Sequence, residues 1–278
     1  MIIAQISDFH LTPDGVRCHE VADSGTSFAT AIARIARIAP PVDVVVATGD
    51  LVDFGGADVY RQLRRILDPL PMPVYLIPGN RDDRESLRRT FAEAGYFPAQ
   101  GAFLHYVIEA YPLRLIGLDT VIGGRDSGAM CAARLAWLDA RLAEAPDRPT
   151  IVFMHHPPFT TGLEYMDRAS FAGASALEAI IRANPQIERV LCGHLHRPIQ
   201  RRWAGTVAAV APSTAFQMPL ALAGDAPGIV LEPAAGYLHL WRPEIGLVTH
   251  LLPLADHPGP FPFDKRARTA AAQASADA

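Results

Sequence analysis

The run "VDVVVAT", residues 42–48, restricts the fold more than any other part of the chain. Its apolar residues are consecutive rather than alternating. A strand with one wet face alternates, so an unbroken valine and alanine strand is covered on both faces. Such a strand needs a layer on each side of its sheet. Neighbouring segments supply those layers. "SFATAIARIARIA", 27–39, places Phe28, Ile32, Ile35 and Ile38 at helical spacing, and "VYRQLRRILDPL" is an amphipathic helix stopped by proline. Further strands are expected at "MIIAQIS", "PVYLIPGN", "RLIGLDT" (114–120), "PTIVFMHH" (149–156) and "RVLCGH" (189–194). Helices are expected at 131–145 and 174–185, and "RESLRR" reads as a solvated helix face. The class is α/β.

After about residue 198 the texture changes. "GTVAAVAP", "GIVLEP", "GYLHLWRP" and "GLVTHLLPL" are strand-like pieces parted by Gly and Pro, the pattern of antiparallel strands. The expectation is one domain over 1–265, with strands in 199–255 completing a second sheet. The low-complexity stretch 266–278 is expected to be a disordered tail.

Bulk properties exclude some functions. The chain has 278 residues, half of them hydrophobic, and a formal net charge of −4. It has no long basic block, so binding to long nucleic acid is not expected. Three scattered cysteines, Cys18, Cys131 and Cys192, without CxxC spacing argue against a disulfide framework. They read as buried small hydrophobes. There is no signal-peptide pattern and no apolar run of the roughly 18–20 residues that span a bilayer. A soluble cytoplasmic protein is expected, with no membrane partner and with homo-oligomerisation left open.

The strand ends carry the chemistry. In open α/β sheets, functional side chains gather beyond the carboxyl ends of the strands. Asp8 and His10 follow the first strand, Asp50 the valine-rich one, Asn80 "VYLIP", His155 and His156 "TIVFM", and His194 and His196 "RVLC". Asp8 and His10 are two residues apart, as are His194 and His196, so each pair can face one centre. Gly49 and Gly79 precede Asp50 and Asn80, where crowding would exclude a side chain. With one of His155 and His156 counted, the donors exceed a tetrahedral set. They suit two metals sharing a bridging carboxylate. Nitrogen and oxygen donors without thiolate favour Mn, Fe, Zn or Co over Mg or Ca.

The motifs "DFH", "GDLVD", "GNRD", "HHPP" and "GHLH", in this order, resemble the calcineurin-like metallophosphoesterase superfamily over roughly residues 1–215. Within it the chain is most similar to bacterial class III cyclic-nucleotide phosphodiesterases and glycerophosphodiesterases. "RVLCGHLHRPI" and "APSTA" add to the likeness. The resemblance implies a four-layer αββα sandwich of two mixed sheets flanked by helices. It implies that Asp8, His10 and His196 hold one metal, that Asn80, His155 and His194 hold the other, and that Asp50 bridges them. His155 is chosen over His156 because the family pattern is His-x-Pro. The implied reaction is hydrolysis of a small phosphodiester, a cyclic nucleotide or a glycerophosphodiester, by metal-activated water. Phosphomonoesterase, nucleotide pyrophosphatase and non-catalytic scaffold are the alternatives.

The chain departs from the family at Arg81, where "GNHD" or "GNHE" is usual. Arginine stays protonated and cannot act as a general acid near neutral pH. It can grip phosphate oxygens in a fork. Arg81 is therefore a candidate for transition-state charge, against the alternative of a surface salt bridge with Asp82 or Asp83. Asn80 and His156 are further candidates for substrate contact, with packing the alternative for His156. Asp53 reads as a structural acceptor and His239 as a satisfied sheet histidine.

Overall fold

In the computed structural model, which describes residues 1–224, 228–261 and 263, the valine run forms a strand with every residue buried. The elements in chain order are β1 (Ile2–Ile6), α1 (Ser24–Ile35), β2 (Val44–Ala47), α2 (Gly56–Leu67), β3 (Val74–Leu76) and α3 (Arg84–Thr90). Then come β4 (Tyr106–Ile108), β5 (Arg114–Leu118), β6 (Gly128–Ala129), α4 (Ala132–Ala143), β7 (Thr150–Met154), β8 (Phe171–Ala172) and α5 (Ala174–Ala183). The series closes with β9 (Ile187–Cys192), β10 (Ile199–Trp203), β11 (Thr206–Val210), β12 (Ala235–Arg242) and β13 (Gly246–Pro253).

The strands build two mixed sheets. One runs β13-β12-β1-β2-β3, the other β10-β11-β9-β7-β5-β4, and β6 pairs β8 in a two-stranded ribbon. Strands β1, β2 and β3 are mutually parallel, as are β5, β7, β9 and β11. Strand β7 shows the layering. Ile151 and Phe153 join the core that includes Ile3, Val45 and Leu76 of the other sheet. Val152 and Met154 point the opposite way, into the cluster with Leu138 and Leu142 of α4 and Leu177 and Ile181 of α5. On the far side, α1 contributes Phe28, Ala31, Ile32 and Ile35, and α2 contributes Val59, Tyr60, Leu63 and Leu67. The architecture is the expected α/β sandwich of mixed sheets flanked by helices.

Helix α1 begins earlier than its apolar spacing implied, because the Asp23 carboxylate caps it by accepting from Thr26 N (3.0 Å). It also stops at Ile35, so Ile38 packs beyond the helix end.

The strands expected over 199–255 do not complete a single sheet. The β10–β11 hairpin extends one sheet through parallel pairing of β11 with β9. The β12–β13 hairpin joins the other, with β12 antiparallel to β1. Gly and Pro punctuation marks strands but not which edge they find. "GIVLEP" makes only an isolated bridge, Val230 with Gln217, since it is short and ends in proline. Cys131 is exposed rather than buried, because it precedes α4 outside the packed face. Met218 is only partly buried and lines a cavity. Segment 266–278, expected as a tail, lies outside the described residues. No helix among the described residues is long and apolar enough to cross a membrane.

Candidate metal centre

Parallel strands of both sheets deliver their polar ends to one place. Asp8 and His10 follow β1, Asp50 follows β2, Asn80 follows β3, His155 follows β7, and His194 and His196 follow β9. All of these except the half-buried Asn80 are buried.

The backbone bends sharply to turn them inward. Asp8 (φ 54°), His10 (φ 43°), Asp50 (φ 49°), His194 (φ 74°) and His196 (φ 49°) all sit in the left-handed region. Non-glycine residues there cost on the order of 1–3 kcal/mol each, and such strain concentrates at functional sites. The glycines are fixed by contact. A Cβ on Gly79 would lie 2.2 Å from Asp50 N, and one on Gly49 would lie 2.6 Å from His155 Nδ1. One on Gly193 would lie 2.1 Å from Ser7 Oγ.

Two groupings emerge. Asp8, His10 and His196 converge in one, and Asp8, Asp50 and His155 in the next. Asp50 stands between them, with Oδ2 3.6 Å from His10 Nε2 and Oδ1 3.4 Å from His155 Nε2. Asn80 Oδ1 lies 3.0 Å from His155 Nε2. His194 joins His155 and His156 in a third grouping of the same kind.

The donor chemistry fits a cation. His10 Nδ1 faces Asp53 Oδ1 (2.9 Å) and His196 Nδ1 faces the Phe216 carbonyl (2.9 Å), so each Nδ1 carries the proton. Their Nε2 lone pairs then oppose each other at 3.0 Å. His155 repeats the pattern: Nδ1–H donates to the Thr48 carbonyl (2.7 Å), and Nε2 faces the oxygens of Asn80 and Asp50. His194 Nε2 is buried without a partner among the described residues. Lone pairs facing lone pairs repel unless a proton or a metal ion lies between them, and outward Nδ1–H bonds are the usual support of metal-binding imidazoles.

Electrostatics point the same way. Burial opposes ionisation of Asp50, but His155, His10 and His194 overcome it and hold the carboxyl well below the ordinary value. Burial also opposes a charged His155, yet Asp50 and Asp8 raise that imidazole to about 9. Burial, then the charge of His155, hold His194 down at about 3. A buried carboxylate pair thus draws positive charge that the imidazoles cannot all supply as protons.

The remaining candidates fall around this centre. Arg81 is exposed on the wall of a cavity of about 1060 Å³, whose floor includes His10, Asp50, Asn80, His194 and His196. Its backbone N–H donates to Asp50 Oδ1 (2.9 Å). Its guanidinium pairs with neither neighbour considered from sequence. Asp83 caps α3 by accepting from Ser86 N (2.7 Å). Asp82 is buried and accepts from Leu51 N (3.1 Å), Val52 N (3.1 Å), Gly79 N (2.8 Å) and the Tyr60 hydroxyl (3.0 Å). Asp82 therefore ties the Asp50 loop to the Asn80 loop. His156 lines a void of about 20 Å³ that shares His194 and Asp126 with the larger cavity, with Nδ1 2.8 Å from Thr120 Oγ1 and Nε2 unpartnered among the described residues.

Several supports carry no sequence signal. Asp126 accepts from Asn80 Nδ2 (3.2 Å), which orients the amide oxygen inward. The Ser213 hydroxyl donates to the Asp8 carbonyl (2.7 Å), and the Phe216 ring packs on His10 and His196 at centroid distances of 5.1 and 4.7 Å. "APSTA" contains Ser213, but nothing in the string assigns it this bond.

Known proteins place this geometry. The family model described as calcineurin-like phosphoesterase matches residues 1–198. A probable glycerophosphodiester phosphodiesterase from Arcobacter nitrofigilis is 35% identical over 265 residues, covering 95% of this chain and 97% of that protein. A probable cyclic nucleotide phosphodiesterase from Rhodopseudomonas palustris is 36% identical over 203 residues, covering 72% of this chain and 73% of that protein. Among solved structures, a dimetal phosphatase from Danio rerio superposes with a TM-score of 0.63 at 16% identity, covering 92% of this chain and 99% of that one. That likeness speaks to the fold. Matched over most of its length by the family model and spanned by relatives above 30% identity, with paired cation-ready clusters at its strand ends, this chain belongs to the calcineurin-like phosphoesterase family as a dinuclear-metal phosphoesterase.

Proposed function

We propose that the chain hydrolyses small phosphodiesters of the cyclic-nucleotide or glycerophosphodiester kind. The observation that carries this reading is Asp50, which turns one oxygen toward His10 and the other toward His155 on the floor of the cavity under Arg81. In this reading Asp8, His10 and His196 would hold one metal, Asn80, His155 and His194 would hold the other, and Asp50 would serve both. Bound metals supply charge neutralisation at phosphate and a water of lowered pKa.

The chain's own residues do the rest. A diester carries one negative charge and repels an anionic nucleophile. Arg81 offers a fork of N–H donors to its non-bridging oxygens, with gains that grow as charge builds in the transition state. Asp82 keeps the Asp50 and Asn80 loops at fixed separation, so the reacting groups need no reorganisation. The cavity stands at the upper end of the sizes usual for small-molecule sites, roughly 300–1,000 Å³. The curated relatives named above are both described as phosphodiesterases, which supports a diester over a monoester.

The test is a substrate panel on metal-loaded protein: 3′,5′-cAMP, 2′,3′-cyclic nucleotides, glycerophosphodiesters, p-nitrophenyl phosphate and a dinucleoside pyrophosphate. The reading expects the highest kcat/KM on a diester. A preference of tenfold or more for the monoester or the pyrophosphate would replace it with one of those activities, and no turnover with two metals bound would leave a scaffold.

A further inference from the structure

Breaking an unactivated diester leaves an alkoxide that needs a proton, and the candidate centre does not provide one. An arginine is no general acid near neutral pH. The Nδ1–H groups of His10, His155 and His196 are already donated away from the cavity, and their Nε2 atoms face one another or the oxygens of Asp8 and Asp50. His156 is buried beside His194 and absent from the cavity lining, with its Nδ1 against Thr120 Oγ1 (2.8 Å). Tyr165 also lines the cavity, exposed and with the Arg168 guanidinium over its ring.

One imidazole on the cavity wall remains. His19 is exposed there, its ring edge-on at 5.3 Å to Phe216, the same ring that packs on His10 and His196. Its backbone is held at a cost. His19 (φ 48°) and Glu20 (φ 65°) are the two central residues of a turn closed by Val21 N donating to the Cys18 carbonyl (3.1 Å). Positive φ at both positions is the signature of the mirror-image type I′ turn, which normally uses Asn or Gly. Here a histidine and a glutamate occupy it, and Glu20 is outside the residue types that tolerate the region.

The surroundings hold the turn in place. Cys18 and Ala22 pack with Phe216 in a small apolar cluster that also touches Met218 and Ile229. Cys18 and His10 both lie against Asp53, the carboxylate that orients His10. Arg17, which donates to the Val21 carbonyl (3.0 Å), and Glu20 are the other charged groups of the turn. Strain retained at a cavity wall is a pointer to function.

We infer that His19 is the catalytic residue that protonates the departing alcohol, an inference that rests on the phosphodiesterase reading. The P–O bond to the alcohol breaks with its electron pair on oxygen, and that oxygen takes an imidazole N–H proton from His19. The new P–O bond comes from water, whose surplus proton goes to solvent, and His19 takes a proton back from solvent. One water is consumed, and a monoester and an alcohol are formed.

The experiment compares wild type with His19→Asn and His19→Gly, both of which suit a positive φ. Two substrates are used on metal-loaded protein: bis-p-nitrophenyl phosphate, whose phenolate leaves without help, and a glycerophosphodiester, which expels an alkoxide. The variants are expected to lose about 10²–10⁴-fold in kcat on the glycerophosphodiester and less than about threefold on the aryl diester, with metal content retained. Added imidazole is expected to restore alkyl-diester turnover to His19→Gly. Equal losses on both substrates, no loss on either, or failure of imidazole to rescue overturns the role of His19. Wild type that turns over neither substrate with two metals bound defeats the phosphodiesterase reading itself, a separate outcome.

Discussion

Arg81 and Asp82 are adjacent and act in opposite directions, one outward to the cavity and one inward to the loops. Arg81→Ala removes a fork of donors from the transition state without touching the buried clusters. The expected result is a loss of about 10²–10³-fold in kcat/KM on diesters with metal content unchanged, measured by steady-state kinetics and elemental analysis of the same sample. Unchanged turnover reduces Arg81 to a surface charge. Asp82→Ala strands the N–H groups of Leu51, Val52 and Gly79 in the interior. Unsatisfied buried donors cost about 1–3 kcal/mol each, so denaturant titration is expected to show a loss of roughly 3 kcal/mol or more. Metal affinity is expected to weaken as the loops part. Stability and affinity both within error of wild type contradict the tie.

Among the elements, the two sheets are held together at the end that bears the site by a short polar chain. His239 of β12 meets Thr249 of β13 through Nδ1 (2.8 Å) and Gln5 of β1 through Nε2 (3.2 Å). The Gln5 amide donates across the sandwich to the Cys192 carbonyl of β9 (2.9 Å). Burial, with a smaller contribution from Arg189, pushes His239 down to about 3. The folded state therefore keeps His239 neutral while the unfolded chain protonates it near 6.5. Its stabilisation is full above pH 6.5 and is lost as pH falls toward 3. Thermal or urea unfolding between pH 6.5 and 4 is expected to show a shallower acid decline in His239→Gln than in wild type, by up to ~1.4 kcal/mol per pH unit. Parallel profiles contradict this.

The strand-end rule located Asp8, His10, Asp50, Asn80, His155, His194 and His196 because parallel strands fix direction and period locally. The glycines before Asp50 and Asn80 were readable for the same reason, and their contacts show the crowding. The edges joined by β10–β11 and β12–β13 were not readable, because antiparallel pairing at a distance leaves no mark in either strand. Asp126, Thr120, Ser213 and the Phe216 carbonyl escaped notice because they sit on loops without periodicity, and backbone acceptors carry no residue signal at all. His19 had no ligand spacing, and its turn lacks the Asn or Gly that would have announced it.

For the whole molecule, the strained backbone and opposed lone pairs at the centre make metal part of the stability as well as the chemistry. A ligand that binds only the folded state adds about 2.7 kcal/mol at a hundred times its Kd. In a chain of 278 residues that corresponds to a rise in Tm of roughly 5 °C per site. Differential scanning calorimetry of metal-free protein, repeated after adding Mn or Co, is expected to show it. No shift contradicts binding to the folded state alone. The most direct test of the central claim is a metal titration of chelator-stripped protein, with bound metal and bis-p-nitrophenyl phosphate turnover read on the same samples. The account predicts negligible turnover without metal and full recovery only as the second equivalent of Mn or Co binds. Full turnover in protein free of metal would contradict it.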